Sequence, residues 1–430
     1  MAARRGAGAG APAHRRSRRW RPGRTVFTLD AVPRYPTLSA PAEALPSSLF
    51  ARLYERAERC SGPIIPFHIG DTHLAPPPPA RLGNLGFTGD PDPELYAYSK
   101  PAGDVALVDA LVAKLRAKNG LAWVGRDNVQ ITNGATHALS CATRAVLDPG
   151  DEVLLLAPYW PLVRGICASL GARPVECTFS YRLATEPDVD IEALLDERIA
   201  RQTAAIYVST PNNPDGAVLS RAQLEAVARV AQRHDLWVLS DEAYEEYVYD
   251  GREHVSIAAL PGMAERTLTA YTFSKTYAQA GLRIGYLVGP AGAIDAARKM
   301  ANHSVYSVAR AMQRAALRAL EHGQSFIDEA RQRYQAARDR ALARIEAPCL
   351  RPQGCTYLFL DLREWVDPED ETAYALLERF AEQGVLLAPG GAFGAEFAKW
   401  ARLCFTAVDA AQLDEGIDRI NAVLARARRR

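Results

Sequence analysis

Apolar positions along this chain follow two rhythms, and from about residue 104 the two alternate. Over 105–118 they recur every three to four residues, which predicts a helix. A strand is predicted at 128–132. A Gly-containing turn follows, then a helix in which Ala135, Leu139, Ala142 and Val146 share one face. Short apolar runs at 153–157, 204–209, 236–240, 268–272 and 285–289 read as strands. Helical patterns separate them, most clearly at 224–233. Such alternation implies a parallel, doubly wound sheet with helices on both faces.

After residue 292 the pattern changes. A long stretch rich in alanine and arginine runs as helix towards Ile345, and strands near 357–362 and 402–407 alternate with helices around 373–383 and 411–426. This predicts a second, smaller α+β domain. Ahead of the alternating region, residues 25–80 are proline-rich, end in Pro76, Pro77, Pro78 and Pro79, and hold one short helix near 49–60. The expected division is a disordered Arg-rich tail over 1–24 and an arm over 25–80 that joins the smaller domain. A large domain over 81–300 and the small domain over 301–430, entered through a long linking helix, complete it.

Charge modifies this picture at the ends only. The 430 residues carry 51 basic and 50 acidic side chains, but residues 1–24 hold eight arginines and no acid, and 426–430 hold four more arginines. The intervening 401 residues keep 39 basic against 50 acidic groups, a net of −11, which argues against a nucleic-acid-binding body. Seven scattered cysteines without a CxxC pair read as reduced thiols of a cytoplasmic protein. No apolar run reaches the roughly 18 residues of a membrane span. The basic N-terminus meets Asp30 after a short apolar stretch, which is not a signal-peptide core. Only six lysines are present, Lys100, Lys114, Lys118, Lys275, Lys299 and Lys399, so candidates for amine chemistry are few.

In open α/β sheets ligands bind at the carboxyl ends of the strands, and several polar residues fall there. Asp241 ends the 236–240 run and Tyr244 follows it; Asn213 lies in Pro211-Asn212-Asn213-Pro214-Asp215-Gly216 after the 204–209 run. Lys275 follows the 268–272 run in Thr272-Phe273-Ser274-Lys275, with Arg283 eight residues later. Asn133-Gly134-Ala135-Thr136 precedes a helix, whose free amides and dipole favour an anion. An amine, a carboxylate, an amide, a phenol and an anion site are together what pyridoxal 5′-phosphate requires. Its aldehyde needs a lysine, its ring nitrogen a buried carboxylate, and its phosphate backbone amides and a bidentate arginine.

From about residue 64 to 425 the sequence resembles the fold type I, class I/II pyridoxal-phosphate-dependent aminotransferases. The resemblance carries a mixed, mostly parallel seven-stranded sheet with helices on both faces, plus a smaller α+β domain. It implies that Lys275 forms the Schiff base, that Asp241 partners the ring nitrogen, and that Asn213 and Tyr244 contact the phenolic oxygen. Trp160 matches the stacking aromatic. Gly134, Ala135, Thr136, Thr272, Ser274 and Arg283 match the phosphate site. Arg402 matches the arginine that grips the substrate carboxylate, and Gly70 the segment that closes over the substrate. Tyr98 matches a tyrosine that reaches the phosphate in the neighbouring subunit, which implies a homodimer with shared sites. Small amino acids and 2-oxo acids are the implied partners, with no membrane, nucleic acid or metal.

Taken singly, each signal has a plainer reading: Asp241 as a helix cap, Asn213-Pro214 as a turn, Lys275 as a surface lysine. The ordered set Asn213-Pro214-x-Gly216, Asp241-x-x-Tyr244, Ser274-Lys275 and Arg283 is not explained by any of them. Thr272 stands where serine is usual, and Asp71-Thr72-His73 replaces an acid followed by proline. His68, Asp71 and His73 are spaced like metal ligands but lack further partners in sequence, and His137 reads as a packed histidine. The motifs name the cofactor more narrowly than the reaction, so a β-elimination lyase, a cyclase or a cyclopropane-forming synthase remains the alternative. A regulator with an aminotransferase-like body would need a DNA-binding domain ahead of the arm, where no helix-turn-helix pattern occurs.

Overall fold

The structure, a computed structural model, describes residues 38–45, 50–60, 62–85 and 93–427. The tail expected over 1–24, the start of the arm and the last three arginines lie outside the described residues. Ala40–Arg430 forms one compact unit.

Seven strands build the large sheet: β1 (Val129–Thr132), β2 (Glu152–Ala157), β3 (Arg173–Thr178), β4 (Thr203–Ser209), β5 (Trp237–Asp241), β6 (Thr267–Thr272) and β7 (Gly285–Val288). Their order is β1-β7-β6-β5-β4-β2-β3. All neighbours are parallel except β7, which runs antiparallel to both β1 and β6, so the sheet is mixed rather than wholly parallel. The chain between β6 and β7 holds only the Phe273–Thr276 helix and a short 3-10 turn at Ala280–Leu282. A parallel return would need a longer crossover, usually a full helix. Strand β3 has no counterpart among the strands that the apolar pattern predicts. It is an edge strand, half-exposed along most of its length and carrying Pro174, and edge strands tolerate both features.

The inner strands are buried along most or all of their length, as continuous apolar runs such as Leu154–Leu156 require when both faces are covered. On one face the Gly134–Val146 helix packs Ala138, Leu139 and Ala142 against Leu239, Leu268 and Leu287. On the other, the Arg221–Arg233 helix sets Leu224, Val227 and Ala231 against Ile206, Val208 and Val238. That helix starts with a complete capping box between Ser220 and Gln223.

The single long linking helix expected towards Ile345 is three helices, Ala291–Val305, Arg310–His322 and Gln324–Arg344. The first break falls at Tyr306, whose φ is +62°, a conformation a helix cannot continue through. The second falls at Gly323, where a Cβ would come within 2.6 Å of the Tyr277 ring. Alanine-rich periodicity hides both breaks, because neither needs a proline.

A second, antiparallel sheet follows in the order β8-β10-β9: β8 (Tyr357–Asp361), β9 (Ala388–Pro389) and β10 (Trp400–Cys404). Strand β10 starts and ends earlier than the 402–407 run suggested, which puts Arg402 at its centre. Its core gathers Leu358, Leu360, Phe380, Leu403 and Ile417 with Ile65 and Phe67 of the arm, and Ile65 bridges Val385. The arm is thereby tied to the small sheet, and it delivers the segment after Phe67 to the carboxyl ends of the large one.

Candidate active site

Three strand ends of the large sheet supply the main groups. Strand β5 ends in Asp241, between Ser209 of β4 and Ala270 of β6 in register. Strand β6 ends in Thr272, whose hydroxyl accepts from the Ser274 amide at 3.1 Å and so caps the short helix that carries Lys275. Strand β1 leads through Asn133 into the Gly134–Val146 helix, whose first-turn residues Ala135 and Thr136 border the same space.

A cavity of about 220 Å³ joins these ends. Gly70, Ala135, Thr136, Trp160, Asn213, Asp241, Tyr244, Thr272, Ser274, Lys275, Arg283 and Arg402, all singled out in the sequence, line it. Gly134 lies at its edge, where an added Cβ would come within 2.8 Å of Arg283 Nη2; its φ of +77° equally favours glycine. Tyr98 is not brought there. It is 80% exposed, and its ring meets Tyr306 edge-on, with centroids 4.9 Å apart.

Lys275 Nζ hydrogen-bonds the carbonyl of Gly70, which ties the arm to the short helix after β6. Burial pushes the lysine pKa below its ordinary value, and neighbouring Cys404 and Asp71 oppose that only in part. Asp241 is buried, and burial raises its carboxyl to about 6. Tyr207 donates to its Oδ2 at 2.9 Å and the Ala243 amide to its Oδ1 at 3.2 Å, and both hold the pKa down against burial. Arg402 donates to Asn213 Oδ1 at 2.9 Å and to the His68 carbonyl at 2.8 Å. Its guanidinium also lies 4.2 Å from the centre of the Tyr357 ring. Among the described residues its Nε is buried without a partner, while both terminal nitrogens are engaged.

Two functional neighbours have no place among the residues singled out in the sequence. Tyr207 is missed although strand alternation puts it in register with Leu239, two residues before Asp241 and on the same face. Tyr357 opens β8, stacks on Arg402 and hydrogen-bonds Tyr244 through the two hydroxyls. Its ring also fills the space beside Gly70 that any larger residue would need. No local signal marks it, because it arrives from the small sheet.

The histidines of the arm go separate ways: His68 Nε2 meets Tyr54 Oη at 2.6 Å, and His73 Nδ1 meets the Thr406 carbonyl at 3.0 Å. Burial, and then Arg402, lower the His68 pKa to about 4, so its imidazole stays neutral. His137 packs beside Ser304 at 2.8 Å, outside the cavity lining. Among the described residues, no helix is long and apolar enough to cross a membrane.

Residues 91–420 match the family model for aminotransferase class I and II. The chain is 32% identical to aromatic-amino-acid aminotransferase 2 of Thermococcus litoralis, across 77% of this chain and 85% of that protein. It is 36% identical to the aspartate/prephenate aminotransferase of Thermus thermophilus, across 69% and 76%. Among solved structures, the aspartate aminotransferase of Thermus thermophilus with maleate superposes with a TM-score of 0.81 at 31% identity. That match covers 90% of this chain and all of the other. On these matches the chain belongs to the class I and II aminotransferases, and it moves amino groups by chemistry that in this family depends on pyridoxal 5′-phosphate.

Proposed function

We propose that this chain binds pyridoxal 5′-phosphate in the cavity between Lys275 and Arg283 and uses it to exchange an amino group between an L-amino acid and a 2-oxo acid. The observation that carries the reading is the meeting of one amine, Lys275, with a buried carboxylate, Asp241, and a buried guanidinium, Arg402, around one cavity. The donor set suits the cofactor group by group. Asp241 would pair with its ring nitrogen, Asn213 and Tyr244 with its phenolic oxygen, and Trp160 would stack on its ring. The amides at Gly134, Ala135 and Thr136, the hydroxyls of Thr272 and Ser274, and Arg283 would hold its phosphate. Among the described residues no carboxylate pairs with Arg283, which leaves its charge for an anion.

When bound, the cofactor supplies an aldehyde that captures amines and a ring that accepts the electron pair left at the substrate α-carbon. The protein supplies the rest. Lys275, with its amine pushed towards the neutral form, would act as the base that takes, and the acid that returns, the substrate α-proton. Asp241 would keep the ring nitrogen protonated, and Arg402 would hold the substrate α-carboxylate. Gly70, bonded to Lys275, would form the wall of the site on the arm side.

The active unit is proposed to be a homodimer. Tyr98, largely exposed on its own subunit, would complete the phosphate site of its partner, and sedimentation should give twice the 46.9 kDa chain mass. A cytoplasmic setting is supported by the seven cysteines, all free. The deciding experiment is Lys275→Ala: turnover and the visible absorbance of the lysine-linked cofactor should both vanish. A variant that kept either one would rule out Lys275 as the amine that holds the cofactor and moves the proton.

A further inference from the structure

A second group of charges lies behind the cavity, on the opposite face of the large sheet. Glu242 follows Asp241, and its amide bonds the Ala270 carbonyl at 3.0 Å, so the backbone of β6 holds the end of β5 in place. The side chains of the two acids turn opposite ways, as successive residues of a strand do. Asp241 meets Tyr207 and the cavity, whereas Glu242 is sealed on the far side with no exposure. Four donors satisfy it there. Ser240 Oγ and Ser256 Oγ reach Oε1 at 3.0 and 2.8 Å, and His254 Nε2 and Tyr271 Oη reach Oε2, both at 2.9 Å.

Glu242, Glu245 and His254 lie close enough together to suggest a metal site. The chain provides its own cation instead. Lys114 Nζ, 4.9 Å from the centre of the Tyr271 ring, bonds one oxygen of Glu245, and Asn119 Nδ2 bonds the other at 2.6 Å. Lys114 thereby balances Glu245, and His254, bonded to Glu242 through Nε2, is the group placed to balance Glu242.

The remaining charges do not disturb this pairing. A cavity of about 490 Å³ reaches His254 from solvent. Besides Glu245, which Lys114 balances, its walls carry Lys118, Arg252 and Arg331 against Glu246, Asp250 and Glu253. Burial alone would keep His254 neutral, but Glu242 above all outweighs it and raises the imidazole pKa. Burial would likewise raise Glu242, and His254 with the other donors brings it below its ordinary value. The negative charge of Glu242 in turn adds to the proton affinity of Asp241.

We propose that Glu242 and His254 act as a positioning pair for Asp241. His254 keeps Glu242 ionised, and the ionised Glu242 strengthens the grip of Asp241 on the ring proton of the cofactor from the far face of the sheet. This rests on the proposed binding of pyridoxal 5′-phosphate beside Asp241. Neither residue touches the cavity, so the pair acts only through the end of β5.

The test uses the full-length protein loaded with pyridoxal 5′-phosphate, and it reads the pH midpoint of the visible absorbance together with the thermal midpoint. Glu242→Gln removes a negative charge behind Asp241, so the pH midpoint should fall by at least about half a pH unit. His254→Gln releases Glu242 to take a proton and should move the midpoint the same way. The double variant should fall no further than the larger single shift, because the two residues act as one device. Tyr271→Phe keeps both charges and removes one donor to Glu242. It should give a smaller fall, and it preserves the test should the Gln variants not fold. A purely structural pair would lower thermal stability and leave the pH midpoint where it was. That result, an upward shift in His254→Gln, or additive shifts in the double variant overturns the proposal. A wild-type protein without any visible band overturns the cofactor reading instead.

Discussion

Tyr207 donates a hydrogen bond to Asp241, 2.9 Å from Oη to Oδ2, with both side chains buried. The pair joins neighbouring strands β4 and β5, and among the described residues it is the one side-chain bond to Asp241. A hydrogen bond to a buried charged group contributes about 1.5–3 kcal/mol. Tyr207→Phe keeps the ring and loses only this donor. Its carboxyl partner then protonates at higher pH, because the Tyr207 bond is what most opposes burial. The expected outcome is a folded protein that binds the cofactor about tenfold more weakly. The loss should be larger at pH 6 than at pH 8. Equilibrium titration followed by absorbance measures both, and equal losses at the two pH values would contradict the account.

Asp241 also makes the cofactor-free protein sensitive to pH. Its folded-state pKa, about 6, lies above the ordinary 3.8, so the folded chain binds this proton more readily than the unfolded one. The contribution to stability is therefore complete at low pH and is lost as pH rises from about 4 through about 6. At pH 7.5 the buried charge costs on the order of 3 kcal/mol. Asp241→Asn carries no charge at any pH. Without cofactor it should be more stable than wild type to urea at pH 7.5 and equally stable near pH 3.5, while losing cofactor retention. A variant no more stable at pH 7.5 would show that the carboxylate is better solvated than its burial implies.

These two residues also mark where the sequence was legible. Asp241, Lys275 and Asn213 follow apolar runs that can only be buried strands, and ligands collect at such ends. The chemistry at single strand ends was therefore visible in the chain itself. Contacts made across strands were not. Tyr207 reaches Asp241 through register, and Tyr357 reaches Arg402 and Tyr244 from a different sheet more than a hundred residues beyond Tyr244. Strand β3 was illegible because an edge position does not require the apolar pattern by which strands are recognised. The antiparallel course of β7 depends on the length of its connection rather than on the composition of the strand itself.

Two glycines separate the cofactor site from the scaffold behind it. At Gly134, φ is +77° and a Cβ would sit 2.8 Å from Arg283 Nη2, the movable end of a long side chain. At Gly285 a Cβ would meet fixed backbone, the Gly134 carbonyl carbon at 2.9 Å and the Ala135 amide nitrogen at 3.0 Å. Gly134→Ala should cost about 1–2 kcal/mol of stability and displace Arg283, weakening cofactor binding about tenfold. Gly285→Ala has no flexible neighbour to move and should cost more than about 3 kcal/mol, with poor recovery of folded protein. Thermal melts with and without cofactor separate the cases: the gap between them narrows for Gly134→Ala, whereas both melts fall together for Gly285→Ala. The reverse pattern would place the close approach at the wrong glycine.

Arg402 differs from a lysine at the same place in geometry more than in charge. Two of its nitrogens are committed, to Asn213 Oδ1 and the His68 carbonyl, and its plane rests on Tyr357 and faces Phe393 at 5.0 Å. Lysine keeps the positive charge but cannot make both bonds, stack flat on the ring and present a planar fork to a carboxylate. Arg402→Lys should therefore lower kcat/KM by about a hundredfold, roughly 3 kcal/mol of lost transition-state stabilisation. Most of the effect should be in KM, since the α-carboxylate is held in the ground state as well as in the transition state. The visible absorbance of the resting enzyme should be unchanged, because the role proposed for Arg402 is to grip the substrate and not the cofactor. Steady-state kinetics with an amino donor and with a 2-oxo acid test both halves of the reaction, and each should show the same loss. A defect confined to kcat would mean that Arg402 acts on the proton transfer instead of on binding.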